Sequence, residues 1–63
     1  MDIARLADQY AGRACTLDGR DATVAGRLLP FARVCALPDG PAVEYAWPTV
    51  ARVFLRTEGR FVS

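Results

Sequence analysis

The chain has 63 residues, of which 52% are hydrophobic and 24% charged, and its net charge at neutral pH is +1. A charge this close to zero argues against a nonspecific nucleic-acid-binding protein, which normally has a clear basic excess. A chain of this length buries only about 60% of the surface of its unfolded form, so its core contributes little net stability. We therefore expect one domain over residues 1–63 that gains from a partner or from forming a homo-oligomer.

The residue inventory argues against catalysis. There is no His or Lys, the only Ser is Ser63, and the only thiols are Cys15 and Cys35. His is the usual general base and the commonest metal ligand, and two thiols cannot complete a four-ligand zinc site. We predict a non-enzymatic protein that has no catalytic residues, metal or cofactor.

The expected cellular location rests on the absence of a membrane-spanning segment and of a signal peptide from the sequence. No apolar run approaches the roughly 20 residues that span a bilayer, and no basic segment followed by an apolar one opens the chain. We expect a cytoplasmic protein that does not contact membranes and whose thiols stay reduced.

All eight basic residues are arginines. Guanidinium groups recognise phosphate and carboxylate in a bidentate manner, but eleven alanines and the absence of Lys and Asn are also typical of a GC-rich genome. Gly-Arg pairs recur at 12–13, 19–20, 26–27 and 59–60. They indicate either a phosphate-binding rim or turn glycines with solvated neighbours, and we favour the second interpretation.

The chain begins with a helical pattern. Residues 2–10 are predicted to form a helix, because their apolar residues share one helical face. Asp2 is a suitable N-cap, and Gly12 stands where a helix commonly ends. The residues of the apolar face are Ile3, Leu6, Ala7 and Tyr10.

From Arg13 onward the apolar residues alternate with polar ones, which predicts strands. Gly19 is available for a turn with positive φ, and residues 38–41 (PDGP) carry the strongest turn signal. Pro48 suits the first turn of a helix, so residues 48–51 are predicted to form a one-turn helix. Residues 51–56 fit either a helix or a hairpin. The predicted strands cover residues 13–18, 22–28, 31–37, 42–47 and 60–63.

Short strands at this spacing predict a mainly β fold. Four strands, a one-turn helix and a fifth strand are the element order of an SH3-like five-stranded barrel. We expect this barrel over residues 13–63, preceded by the short N-terminal helix at 2–10. A barrel would also remove the exposed strand edges of a small open sheet.

Trp47 has two interpretations. It either fills the core, which a chain this small needs large side chains to form, or it lies on a contact surface. Trp, Tyr and Arg dominate binding energies at protein interfaces, and aromatic rings also stack on nucleotide bases. We favour the core for Trp47, and we predict that any contact surface is formed by Tyr45, Trp47 and Arg52.

Two further arginines are candidates for binding a partner or ligand. Arg33 interrupts an apolar strand between Phe31 and Cys35. It either pairs across strands with Glu44, which we favour, or contacts a partner. Arg27 belongs to the third Gly-Arg pair and is a candidate contact for phosphate or carboxylate.

A pattern of small and aromatic residues resembles small uncharacterised proteins encoded by bacteriophages and other mobile elements of bacteria. The resemblance covers about residues 12–63 and implies a phage or prophage origin and an SH3-like body. The residues that carry it are Gly19, Ala22, Val24, Gly26, Phe31, Ala32 and Val34, followed by residues 43–47.

The chain is also similar in length and expected fold to the plasmid-encoded type II dihydrofolate reductases, which build one active pore from four identical chains. That family has a Val-Gln-Ile-Tyr stretch just before a Pro. The corresponding residues 43–47 read VEYAW before Pro48, so the pore residues are missing and the activity is not carried over.

These observations predict a non-enzymatic binding protein of phage origin that contacts a host protein, for example as an inhibitor of a defence system. The alternative is an oligomeric small-ligand binder that sequesters a nucleotide signal. Direct nucleic-acid binding is a third alternative, which the net charge disfavours.

Overall fold

The computed structural model describes residues 2–37 and 39–62. Its five strands form one sheet in the order β4-β3-β2-β1-β5, and two helices accompany it, so the predicted mainly β class is confirmed. The elements are α1 (Ile3–Tyr10), β1 (Ala14–Leu17), β2 (Arg20–Val24), β3 (Phe31–Ala36), β4 (Ala42–Ala46), α2 (Trp47–Thr57) and β5 (Arg60–Phe61).

The sheet is curled like half a barrel, but it is open. The pairs β1–β2, β2–β3 and β3–β4 are antiparallel, whereas β5 pairs in parallel with β1. No ladder among the described residues joins β4 to β5, so the predicted five-stranded barrel is observed as a half-barrel. The chain has to cross from one edge of the sheet to the other before β5, and α2 makes this crossing.

The N-terminal helix agrees with its sequence signals. The Asp2 carboxylate accepts a hydrogen bond from the Ala4 N–H at 3.0 Å, which satisfies one of the free donors at the helix start. Gly12 has a φ of +78° and follows the last helical turn, as a C-terminal glycine commonly does. The predicted helix at 2–10 is therefore observed as Ile3–Tyr10 with Asp2 as its N-cap, whereas its C-cap is Ala11 and the Gly12 N–H donates to the Val24 carbonyl at 2.8 Å.

The turns between strands also follow local chemistry. Asp18 and Gly19 both have positive φ and form the two-residue hairpin connection of β1 and β2, as Asp-Gly pairs commonly do. β2 ends at Val24, so the second half of the predicted strand 22–28 lies in a loop. In the predicted turn 38–41, Pro38 lies outside the described residues, and the Gly40 N–H donates to the Ala36 carbonyl at 2.9 Å.

The largest correction concerns α2, which has 11 residues where a single turn at 48–51 is predicted. Trp47 is the first residue of this helix and not the last of a strand. Counted from Trp47, the residues Val50, Ala51 and Phe54 follow at i+3, i+4 and i+7, which is one helical face. Residues 51–56 are therefore helical, because packing of this face outweighs the β propensity of the valines and Phe54.

The C-terminal strand is shorter than predicted. β5 contains only Arg60 and Phe61, where residues 60–63 are expected, and Ser63 lies outside the described residues. Phe61 is nonetheless among the largest fully buried side chains, so the short strand still contributes to the core.

The helices cover one face of the sheet only. On β3, Ala32, Val34 and Ala36 are buried, whereas Phe31 and Arg33, on the other face, are exposed. The core thus lies between the concave face of the sheet and the two helices. Its largest fully buried side chains are Trp47, Phe61, Val24, Val34 and Val50.

Two glycines with similar φ angles allow a matched test of this packing. Gly59 (φ +84°) lies where an added Cβ would approach Phe54 Cε1 to 2.8 Å, whereas a Cβ on Gly19 (φ +81°) would meet nothing within 4 Å. Gly19→Ala should lower the free energy of unfolding by about 1–2 kcal/mol, the cost of a left-handed non-glycine residue. Gly59→Ala should lower it by about 1–3 kcal/mol more, because it also overpacks the core. Urea unfolding followed by circular dichroism measures both, and equal losses would contradict the packing around Gly59.

Candidate functional site

Trp47 is a core residue. Its side chain is 0% exposed, and its indole N–H donates to the Leu28 carbonyl at 2.7 Å. This hydrogen bond fastens the loop between β2 and β3 to the start of α2. Trp47 therefore cannot contact a partner in this fold, and the core interpretation holds.

Tyr45 lies on the inner face of β4, where the two edges of the curled sheet come together. Its ring centroid is 4.7 Å from that of Phe61 on β5, and its hydroxyl lies 3.5 Å from the Val62 carbonyl, a long hydrogen bond. Burial raises the pKa of the Tyr45 phenol, and the charges of Asp18 and Cys15 raise it further. Side-chain contacts thus take the place of the missing β4–β5 ladder.

The predicted surface of Tyr45, Trp47 and Arg52 is not formed. Trp47 is enclosed, Tyr45 is half-buried against Phe61, and only Arg52 is fully exposed, on the outer side of α2. Trp47 begins α2, and its indole is buried in the core.

Arg33 and Glu44 are directly opposite each other on β3 and β4, as predicted. Among the described residues, however, the only ion pair joins Arg27 to Asp8. Arg33 and Glu44 therefore both remain solvated on the outer face of the sheet, and the predicted cross-strand ion pair is absent.

The Gly-Arg pairs do not converge on one site. The Arg13 guanidinium lies over the ring of Phe54, 4.8 Å from its centroid, and Arg27 forms an exposed ion pair with Asp8 on α1. Arg60 is on β5, next to the end of α2. This arrangement agrees with the interpretation that the glycines mark turns and the arginines are their neighbours.

One shallow concavity of about 420 Å³ lies at the C-terminal end of α2, lined by Arg56, Thr57, Glu58 and Arg60. The Thr57 hydroxyl is already engaged, since it donates to the Val53 carbonyl at 2.8 Å and accepts from the Arg60 N–H at 3.2 Å. Two guanidiniums here share the space with the Glu58 carboxylate and the carbonyl end of a helix, which weakens the attraction for an anion.

The thiols are separated by the sheet. Register places Cys15 opposite buried Ala22 and Cys35 opposite Thr23 on the other face, so the two sulfurs cannot meet, and both are free. Burial raises the pKa of the Cys15 thiol, which disfavours the nucleophilic thiolate. Within residues 2–37 and 39–62 no three His, Cys, Asp or Glu side chains group as metal ligands.

The strongest surface feature is a run of four consecutive exposed apolar residues, three at the end of the loop between β2 and β3 and the fourth at the first position of β3. We call Leu28, Leu29, Pro30 and Phe31 the loop patch. Leu28 is 41% exposed, Leu29 56% and Phe31 50%, and Pro30 is exposed as well. The loop is held at its start by a hydrogen bond from the Ala25 N–H to the Arg33 carbonyl at 2.7 Å and in its middle by Trp47.

The loop patch can be recognised in the sequence, although not from the alternation of apolar and polar residues. The predicted strand places Leu28 on the same face as Val24, although four apolar residues in a row around Pro30 fit neither strand nor helix periodicity. Such a run at a proline indicates a loop. Protein design avoids exposed apolar runs of this length unless they have a function.

No family model, curated protein or solved structure matches this chain. Neither helix in the described part of the chain is long and apolar enough to cross a membrane.

The role of Trp47 is tested by Trp47→Phe. The variant removes the donor to the Leu28 carbonyl and leaves a small void, so the free energy of unfolding should fall by about 2 kcal/mol. Exchange of the Leu28, Leu29 and Phe31 amides should accelerate more than exchange at α1. Circular dichroism and hydrogen exchange measure these effects, with Tyr10→Phe as a control for an aromatic change elsewhere in the core. Unchanged exchange in the loop would show that Trp47 does not hold it.

The raised pKa of Tyr45 makes stability depend on alkaline pH. A phenol whose pKa is higher in the folded than in the unfolded state contributes stability below its usual value of 10.0, and this contribution is lost as pH rises further. Tyr45→Phe should therefore unfold like the wild type at pH 8 but lose less stability between about pH 9 and 11. Urea titrations across that range test this, and parallel losses in both proteins would contradict it.

Proposed function

We propose that this chain is a small non-enzymatic binding protein that acts by contact with another protein, and that the loop patch is its contact surface. The observation that carries the proposal is the exposure of four consecutive apolar residues, Leu28 to Phe31, on a fastened loop. Exposed apolar clusters of this kind are typical of protein interaction sites.

The way in which the loop is held supports this role. The hydrogen bond between Trp47 and Leu28 fixes the middle of the loop to the core, so little conformational freedom is lost when the loop binds. A contact surface that is already ordered binds more tightly than a mobile one with the same side chains. The buried Trp47 thus serves binding indirectly, by positioning Leu29.

The surroundings of the loop patch indicate the chemistry of the partner. The exposed ion pair of Arg27 and Asp8 lies next to the loop patch, so an apolar centre has charged groups at its border. This is the usual composition of a protein interface. The partner would present an apolar groove for Leu29 and polar groups around it.

The sequence resemblance extends the proposal to origin and place of action. We infer a phage-encoded protein that works in the host cytoplasm on a host protein, such as a component of a defence system. We also propose that the curled sheet is related to the SH3-like barrels. The shared element order of four strands, a helix and a fifth strand supports this relationship. The 11-residue α2 and the parallel pairing of β5 with β1 differ from the predicted SH3-like barrel.

A nucleotide ligand has less support. Tyr45 and Trp47, the aromatic residues considered for stacking, both have their rings committed to the core. The concavity at the end of α2 combines Arg56 and Arg60 with the carboxylate of Glu58, which offsets their attraction for phosphate.

Leu29→Glu tests the contact surface. Because Leu29 is exposed, the variant should keep the stability of the wild type within about 0.5 kcal/mol. Placing a charge in an apolar groove should weaken binding by at least about 1.4 kcal/mol, which is tenfold. Tagged wild type and variant are expressed in bacteria, the retained proteins are quantified by mass spectrometry, and binding is then measured with the purified partner.

Leu55→Glu is the matched control, because Leu55 is 81% exposed on α2 and the substitution is the same. The control should retain the partner at the wild-type level. If Leu29→Glu and the control retain the same proteins in the same amounts as the wild type, the loop patch is not the contact surface.

A further inference from the structure

β4 is a free edge of the sheet, and the hydrogen bonds of β3 show which of its backbone groups are unpaired. The Arg33 carbonyl accepts from Ala25 at 2.7 Å, so Arg33 bonds towards β2. Leu37 also bonds towards β2, since its N–H donates to the Asp21 backbone carbonyl at 2.9 Å. Backbone groups of successive residues point to opposite sides of a strand, so Ala32 and Val34 bond towards β4.

Register then assigns the groups of β4. Ala32 is opposite Tyr45, and Val34 is opposite Val43, so Val43 and Tyr45 use their N–H and C=O groups towards β3. The N–H and C=O groups of Ala42 and Glu44 therefore point away from the sheet. No other segment of the described chain forms a backbone hydrogen bond with them.

We propose that this edge pairs with the β4 edge of a second copy, giving a two-fold dimer with one continuous sheet. With the symmetry axis at Val43, the Glu44 N–H donates to the Ala42 carbonyl of the second copy, and the Ala42 N–H donates to its Glu44 carbonyl. The reciprocal bonds follow by symmetry, so each unpaired group within the paired segment finds its complement.

The side chains favour this register and a copy of the same chain as the occupant. Glu44 lies opposite the small Ala42, and the half-buried Val43 lies opposite Val43 of the copy, a favourable cross-strand pair of β-branched residues. If the symmetry axis passed through Glu44 instead, the Glu44 carboxylates of the two copies would lie directly opposite each other, which is destabilising. A strand from an unrelated protein would have to supply this pattern independently, whereas a second copy has it by symmetry.

Among the features that protect edge strands are charged side chains, Pro and bulges. β4 reads AVEYA and pairs with β3 without interruption, so it has no Lys, internal Pro or bulge. Its one charged residue is Glu44, which the proposed register places opposite Ala42. β5 at the other edge has only two residues and offers little to a partner. The dimer would bury further surface in a domain whose own core is small.

Glu44→Pro tests the proposal without breaking the monomer, because the Glu44 N–H points away from β3 and proline is tolerated at such edge positions. Sedimentation velocity should show the wild type as a dimer at a concentration on the order of 0.1 mM. Glu44→Pro should raise the dissociation constant at least about tenfold, whereas Glu44→Gln, which keeps the N–H, should leave the dimer intact. A wild type that stays monomeric, or a Glu44→Pro variant that dimerises like the wild type, would overturn the proposal.

Hydrogen exchange on the wild type provides a second measurement that does not depend on a variant folding. Raising the protein concentration should slow exchange of the Ala42 and Glu44 amides, while those of Val43 and Tyr45 are protected at every concentration. A dimer in which the Ala42 and Glu44 amides still exchange fast would place the interface elsewhere and reject the β4 pairing. Leu29→Glu should leave this dimer unchanged. The proposal of a β4 dimer and the proposal that the loop patch binds a partner are therefore tested independently of each other.

Discussion

The hydrogen bond from the Trp47 indole to the Leu28 carbonyl connects the core, at the start of α2, to the loop between β2 and β3. Trp47 ends the course of β4, begins α2 and fills the core, all at one position of the chain. The carbonyl that it satisfies belongs to the loop that exposes the apolar residues Leu28 to Phe31. The buried Trp47 N–H would lose its acceptor without this bond, and a buried donor without an acceptor costs about 1–3 kcal/mol, a large share of the stability of a domain this small. The shape of the exposed loop is therefore tied to the integrity of the core.

Local signals in the sequence were sufficient for the elements that depend on neighbouring residues only. Asp2 caps the start of α1 because its carboxylate acts within one helical turn, and Asp18-Gly19 forms a hairpin turn from two neighbouring residues with positive φ. α2 was underestimated because Trp47 was counted with the strand, which hid a helical face that begins at the tryptophan. Of the expectations about candidate site residues, the burial of Trp47 in the core and the opposition of Arg33 and Glu44 were correct. The loop patch was missed because alternation assigned Leu28 to a strand face, and the fastening of the loop depends on a contact 19 residues away.

The two edge strands of the sheet, β5 and β4, differ in how far their exposed edges are covered. The edge at β5 is short, and its Phe61 is buried against Tyr45 and Phe54, so side chains close the gap that hydrogen bonds leave open. The edge at β4 keeps solvated backbone groups along a regular strand. The 11-residue α2 carries the chain across the core to the far edge, where β5 pairs with β1 over two residues.

The single tryptophan of the chain gives the protein an internal optical probe. Its indole is enclosed by the core, and its N–H is bonded to the loop, so its emission should be that of an apolar environment while the loop is attached. Release of the loop would admit water to the ring and shift the emission to longer wavelength, even where the sheet and both helices remain intact. Fluorescence of the unlabelled wild-type chain can therefore distinguish detachment of the loop from global unfolding, which circular dichroism reports.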